Sequence, residues 1–195
     1  MESEAILNSE FLNLFMRKEL IVDTEIILKE LSLEEVLPIF TTLDNSRDYF
    51  SEWLPFVEHT KQISDTLVAV ENLMSKDSNN LTYAIYYQNQ FVGLVGLKDA
   101  DTANHKMEIG YWLSENHQKK GIMTRACRAM IDYAFDVLET NRIQLKTATG
   151  NKKSQQVAER LGFKQEGIER DGELHSRGYV DLIVFSLLKS ERLTS

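Results

Sequence analysis

"SENHQKKGIMTRACRAMIDYAF", Ser114 to Phe135, joins a polar loop to an amphipathic helix. Ile122, Ala126, Met130, Tyr133 and Val137 recur at helical spacing, and Arg125, Arg128, Asp132 and Asp136 fall away from that stripe. The pattern predicts a helix docked by one face on a sheet and starting just past Gly121. The first N–H groups of such a helix lack internal partners, and its macrodipole adds partial positive charge there. An anion can rest against them. Gly121 has no Cβ to hold it off, and Lys119 and Lys120 add charge. G-x-x-x-x-G-K-[ST] and G-x-G-x-x-G are both absent, which excludes a P-loop and a dinucleotide fingerprint. On spacing alone, an anion cradle and an ordinary lysine-flanked turn stand as equal alternatives.

Outward from this stretch, the periodicity alternates between two and 3.6. Thr24–Leu31 reads as a strand. Ser32, with Glu35 three positions on, resembles a capping box. It opens a helix through Val36, Ile39, Phe40 and Leu43. "NSRDYFSEWLPFVEHT" is an irregular, partly helical aromatic stretch. "SDTLVAVENLMSK" predicts a helix with Leu67, Val70, Leu73 and Met74 on one face. "LTYAIYY" and "QFVGLVGLKD" are strands around a "QNQ" turn. "HKMEIGYWLS" is a strand, "RIQLKTATG" another, and "NKKSQQVAERLG" a short helix ended by Gly162. "FKQEGIER" and "GYVDLIVFSLLK" complete about seven strands. The expectation is one α/β domain over residues 1–195, with a mixed sheet and helices on its faces.

Composition narrows the function classes. The 195 residues carry a formal net charge of −8, so nucleic acid is a poor default partner. That acidity either favours a basic acceptor or only keeps the chain soluble. No apolar run approaches the roughly 20 residues of a membrane span, and "MESEAILNSE" lacks the basic start of a secretory signal. The single cysteine, Cys127, falls in register with Ile131, Ala134 and Leu138, as a buried small hydrophobe would. A reducing, cytoplasmic setting is expected. His59, His105, His117 and His175 share no metal-ligand spacing, so no metal is expected.

"EIGYWLSENHQKKGIMTRA", followed by "NKKSQQVAERLGFKQEG", resembles the GNAT superfamily of acyl-CoA-dependent N-acetyltransferases. The pyrophosphate signature of that superfamily, Q/R-x-x-G-x-G/A, falls on Gln118, Lys119, Lys120, Gly121, Ile122 and Met123. Met123 departs from it, which is tolerable if its side chain points into the core while its N–H faces the phosphate. "EIILKEL", "NSRDYFSEWLPFVEHT" and "DGELHSRGYVDLIVFSLL" are similar to the ribosomal-protein N-terminal acetyltransferases of the RimJ/RimL type, over roughly residues 20 to 190.

The resemblance implies a mostly antiparallel, twisted sheet and direct attack of an amine on acetyl-CoA, with no enzyme nucleophile. It implies a cofactor site built from the backbone of Tyr111, Trp112 and Leu113, from Gln118 to Thr124, and from Asn151 and Ser154. Ser154 would donate to the departing thiolate; the alternative is a local role in the first turn of its helix, behind the Asn151 cap. Glu173, counted from Glu166 and Gly167, is one candidate base, the alternative being an exposed loop acid. Glu108 is the other. It shares a strand face with Gly110 and Trp112, opposite Met107, Ile109 and Tyr111. Desolvation there would raise its pKa and suit a base. The alternative for Glu108 is an ion-pair partner. Trp53 and Phe56 are candidate acceptor contacts, and Tyr179 an alternative acid. The implied partners are an amine acceptor, such as a basic protein N-terminus, and a second copy in a homodimer. Small-molecule amine acetylation and a non-catalytic acyl-CoA-binding module are the alternatives.

Overall fold

The computed structural model describes residues 18–75 and 80–192. The reading of the first ten residues, and the last residue of the "SDTLVAVENLMSK" stretch, lie outside them. The chain runs β1 (Glu19–Ile21), β2 (Ile26–Glu30), α1 (Val36–Asn45), α2 (Arg47–Ser51), α3 (Ile63–Met74), β3 (Leu81–Tyr87), β4 (Gln90–Asp101) and β5 (Lys106–Leu113). It continues with α4 (Ile122–Asp136), β6 (Arg142–Ala148), α5 (Lys152–Arg160), β7 (Lys164–His175) and β8 (Gly178–Leu188).

Local chemistry sets several of these boundaries. Ser32 and Glu35 form the expected capping box ahead of α1. Gln88 and Asn89 both adopt positive φ, at 49° and 65°. This is the two-residue hairpin geometry that matches strand twist, and it joins β3 to β4. Asn151 caps α5, its side chain accepting from Ser154 N at 3.1 Å.

The eight strands form one sheet in the order β1-β2-β3-β4-β5-β6-β8-β7. Every pair is antiparallel except β5 with β6. The strand missed in the sequence is β1, whose three residues are too short for an alternation to register. A second correction concerns α3. Its buried residues are Thr66 and Val70, four apart, whereas Leu67 is 36% and Met74 43% exposed. A threonine on the inner stripe hid that face from a count of apolar residues.

Alternation along the strands splits the core in two. Tyr83, Ile85 and Val95 join α4 and α5 on one side, while Ala84 and Leu94 join α1, α2 and α3 on the other. The sheet is therefore covered on both faces. The first core centres on α4, whose buried side chains include Ile122, Met123, Ala126, Cys127, Met130 and Phe135.

The β5–β6 junction makes the site. These strands pair only at Lys106–Arg142, Met107–Ile143 and Glu108–Gln144. Beyond that, β5 keeps β4 on its other side through Gly93–Leu113, and β6 keeps β8 through Ala148–Leu182. The two strands diverge, and a wedge opens between them.

Near this junction Arg142 holds the Glu166 carboxylate at 2.8 Å, and Ser186 Oγ donates to it at 2.8 Å. Arg142 foremost, with Ser186, brings the Glu166 pKa from its ordinary 4.5 to about 2. A carboxyl with a depressed pKa stabilises the fold fully above its ordinary value, and that stability is lost as pH falls through the depressed one. The Glu166→Gln variant is therefore expected to be less stable than the native chain near neutrality, by about 1 kcal/mol given solvent screening of an exposed pair. The gap between the two denaturation curves should close between pH 4.5 and about 2. A gap that stays constant through that window would remove Glu166 from the acid response.

Candidate active site

The wedge is a cleft of about 590 Å³. Its walls come from β5, the loop into α4, β6, α5, α2 and β7. The sequence-predicted residues Tyr111, Trp112, Leu113, Gln118, Lys119, Gly121, Ile122, Met123, Thr124, Asn151, Ser154, Glu108, Glu173 and Trp53 all line it. Lys120 and Phe56 are outside the lining. Lys120 Nζ sits 5.4 Å above the Tyr87 ring, and Phe56 is 45% exposed beside the buried Val57.

Gly121 is the N-cap of α4, at φ 72° and ψ 2°. A Cβ there would meet nothing within 4 Å, so the requirement for glycine is conformational and not steric. The first helical hydrogen bond runs from Arg125 N to Gly121 O at 3.1 Å. The N–H groups of Ile122, Met123 and Thr124 precede it. Met123 is 6% exposed and its side chain belongs to the core. This is the side-chain placement that the departure from the signature requires. Arg125 braces the loop from behind. It bonds Asp23 at 2.7 Å and Glu25 at 3.1 Å, between β1 and β2, and its other nitrogen reaches Lys120 O at 3.5 Å.

Polar side chains cross the mouth of the cleft. Gln118 Nε2 donates to Tyr49 Oη, and Lys153 Nζ donates to Gln118 Oε1 at 2.8 Å. Ser114 Oγ and His117 Nδ1 lie 2.7 Å apart. Burial, and then the nearby Lys120 charge, holds the His117 pKa below its ordinary value.

Deeper in, Tyr111 Oη lies 2.9 Å from Ser154 Oγ and 3.3 Å from Ser154 O. Burial pushes the Tyr111 phenol far above its ordinary pKa, so it keeps its proton. Cys127 is fully buried in α4, and burial raises its thiol likewise. A protonated, inaccessible thiol is not a nucleophile.

The two candidate bases sit differently. Glu108 receives Lys98 Nζ on one oxygen at 2.9 Å and Gln144 Nε2 on the other at 3.2 Å. This is the ion-pair alternative. Burial works against the Lys98 charge, but its bond and attraction to Glu108 outweigh that and raise its pKa. Glu173 lies within β7, which runs beyond Arg170 to His175, not in a loop. Pairing with β8 is interrupted between Glu169 and Glu173. A Cβ on Gly172 would come within 2.9 Å of Leu182 Cγ, so glycine lets the strand close in just before Glu173. Glu173 remains 44% exposed and bonds His175 Nε2 at 2.8 Å. Trp53 packs against the turn at Gly150, where an added Cβ would touch its ring at 3.3 Å.

The sequence reading missed several lining residues: Tyr49, Lys98, Asp99, Lys146, Lys153 and Arg160. A register shift in β4 falls between Lys98 and Asp101, with Asp99 inside it at φ 53°. The charges were visible, but only the sheet register and the shift aim them inward. The cleft has five basic side chains, Lys98, Lys119, Lys146, Lys153 and Arg160, against three acidic ones, Asp99, Glu108 and Glu173. The net negative charge of the chain thus lies elsewhere, and the cleft suits an anion. Among the described residues no group of three or more His, Cys, Asp or Glu is placed to hold a metal, and no helix is long and apolar enough to cross a membrane.

Comparison with known proteins agrees with this geometry. The acetyltransferase (GNAT) domain family matches residues 25–164. A Bacillus subtilis protein, YdaF, provisionally named a ribosomal N-acetyltransferase, is 34% identical over 87% of this chain and 94% of its own. The ribosomal-protein-serine acetyltransferase of Escherichia coli is 24% identical over 88% and 97%. The spermidine N(1)-acetyltransferase of that species is 26% identical over 64% and 66%. Among solved structures, the microcin C7 self-immunity acetyltransferase MccE in complex with acetyl-CoA and AMP superimposes with a TM-score of 0.83. It is 27% identical, over 89% of this chain and 98% of that one. A splayed β5–β6 wedge, a glycine-capped helix facing it and a family match across most of the described residues converge on one statement: the chain belongs to the GNAT acetyltransferases and is an acetyl-CoA-dependent N-acetyltransferase.

Proposed function

We propose that the acceptor is the N-terminal α-amine of a protein, and of a ribosomal protein in particular. The observation that carries this reading is the charge at the apex of the cleft. Lys98 and Lys146 stand there, and their acidic neighbours are engaged: Glu108 by Lys98 at 2.9 Å and Glu169 by Lys146 at 2.7 Å. A polyamine would bring several positive charges to carboxylates that these lysines already neutralise. A peptide α-amine brings one, and with a pKa near ~8 against ~10.4 for an alkyl amine it loses that charge far more readily before attack. The names of YdaF and of the ribosomal-protein-serine acetyltransferase support the same class of acceptor.

The residues fit acetyl-CoA, which when bound supplies the activated acyl thioester. The N–H groups of Ile122, Met123 and Thr124, with Lys119 and Lys153, hold its diphosphate. The unpaired edge of β5 from Ile109 to Leu113 offers main-chain groups to its amide arm, and Asn151 lines the facing wall. Glu173 takes a proton from the attacking amine, directly or through water. Ser154 donates a hydrogen bond to the departing sulfur. Trp53 contacts the acceptor.

Thiol release from acetyl-CoA, followed with a thiol-reactive dye, tests the acceptor. Release is expected with N-terminal peptides and not with spermidine. Release with small amines alone would replace this reading with small-molecule acetylation, the reading favoured by the spermidine N(1)-acetyltransferase likeness. Coenzyme binding without release on any acceptor would leave a binding module.

A further inference from the structure

Tyr111 and Ser154 are 43 residues apart in sequence, yet their side-chain oxygens lie 2.9 Å apart inside the cleft. Tyr111 projects from the face of β5 that packs on the α4 core, beside Met107 and Ile109. Ser154 is in the first turn of α5, where its N–H is already taken by the Asn151 cap. A serine in a helix commonly turns its hydroxyl back on a local carbonyl. Here it faces a phenol on the opposite wall instead.

The direction of this bond matters. A serine hydroxyl has one proton and two lone pairs. If Ser154 donates to Tyr111, its proton is spent within the protein. If Tyr111 donates across the shorter contact, 2.9 Å to Ser154 Oγ against 3.3 Å to the Ser154 carbonyl, Ser154 accepts on a lone pair and its own proton is free for a ligand. We propose that Tyr111 is a positioning residue that donates its phenolic proton to Ser154 Oγ, fixing the serine rotamer and directing the serine proton at the coenzyme sulfur. This rests on the reading of Ser154 given above. The phenol stays protonated throughout the working range, so it remains a donor. Hydrogen bonds in series also polarise one another, which makes Ser154 a better donor than an isolated serine.

No proton leaves either residue. The amine nitrogen forms its bond to the acyl carbon, and the C–S electron pair departs on sulfur. The excess amine proton goes to Glu173 or water. The sulfur, held by the Ser154 hydrogen bond, takes up its proton from solvent after release.

Tyr111→Phe removes one oxygen and keeps the ring, so the packing on α4 is preserved. With acetyl-CoA and a peptide acceptor, kcat is expected to fall about 5- to 10-fold with the KM for acetyl-CoA unchanged, the size of one hydrogen bond made late. In a Ser154→Ala background the same change should be nearly silent, because the residue it acts through is gone. A second readout needs no turnover. The thiol pKa of bound coenzyme A, followed by thiolate ultraviolet absorbance, should rise by about half a unit to one unit in Tyr111→Phe. In the double variant it should be no higher than in Ser154→Ala alone. If Ser154→Ala keeps full kcat, the serine reading falls and this inference with it. If Ser154→Ala is impaired but Tyr111→Phe is silent, or its loss simply multiplies with that of Ser154→Ala, only the positioning role of Tyr111 is overturned. A lowered melting temperature with an unchanged thiol pKa would likewise make Tyr111 a packing residue alone.

Discussion

Replacing Ser154 by alanine is expected to lower kcat by at least about tenfold while coenzyme A still binds; acid–base and charge-stabilising groups of this kind contribute ~10²–10⁴. Two observations separate this outcome from a stability effect. The α5 cap is made by the side chain of Asn151 to the main-chain N–H of position 154, which alanine retains. Alanine is also the best helix former, so α5 is not weakened. The loss should therefore fall on kcat, with binding heat for coenzyme A and the melting temperature near those of the native chain. Glu173→Gln is expected to act on the same scale but through the acceptor. Its loss should shrink as pH rises past the amine pKa near ~8, where the amine arrives already deprotonated and only the proton shed on acylation is left for a base. Normal turnover in both variants would remove them from the mechanism. Normal turnover in Glu173→Gln alone would pass the base role to Glu108, whose carboxylate would first have to leave Lys98.

Gly121→Val carries the second large effect. The backbone stands at φ 72°, where a β-branched residue is strained by more than the ~1–2 kcal/mol typical of L-residues. Space is not the obstacle, because a Cβ would meet nothing within 4 Å. The chain must therefore either hold the strain or relax it. Holding it lowers thermal stability. Relaxing it rotates the peptides that lead into α4 and scatters the N–H groups of Ile122 to Thr124. Calorimetry with coenzyme A is expected to show affinity reduced by at least about tenfold, equivalent to ~1.4 kcal/mol. Gly121→Asn is the control, since asparagine tolerates the left-handed region and should recover much of the loss. Unchanged affinity in Gly121→Val without a lowered melting temperature would mean that the strain was relaxed and that the helix N-terminus does not hold the diphosphate.

The cleft charge bears on the acceptor in a way that net charge does not. A chain of net −8 looks built for basic partners. Its cleft, with five basic and three acidic side chains, is the reverse. An acidic exterior around a basic cleft focuses anions inward. The acidity therefore reports on solubility more than on the acceptor.

Much of the site was legible because it is local. Helix periodicity placed α4, a lone glycine marked its cap, and "NKKS" put Asn151 and Ser154 on the first turn of α5. The capping box at Ser32 and the "QNQ" hairpin came through for the same reason, since each spans four residues or fewer. What was not legible depends on partners distant in the chain. The fate of Glu108 turned on Lys98 and Gln144, the latter 36 residues away. The place of Glu173 turned on how far β7 pairs with β8, and the short β1 carried too few residues to show an alternation.

By itself, then, the sequence determined the helices and the longer strands, though not β1, and where α4 begins. These follow from hydrophobic period, caps and backbone freedom, all of which act within a few residues. Only the tertiary structure decided that β5 parts from β6 after Glu108, that Tyr111 meets Ser154 across the gap, and that Lys98 claims Glu108. Strand register and sheet splay are set by the summed packing of both cores, and no short window of sequence contains that sum.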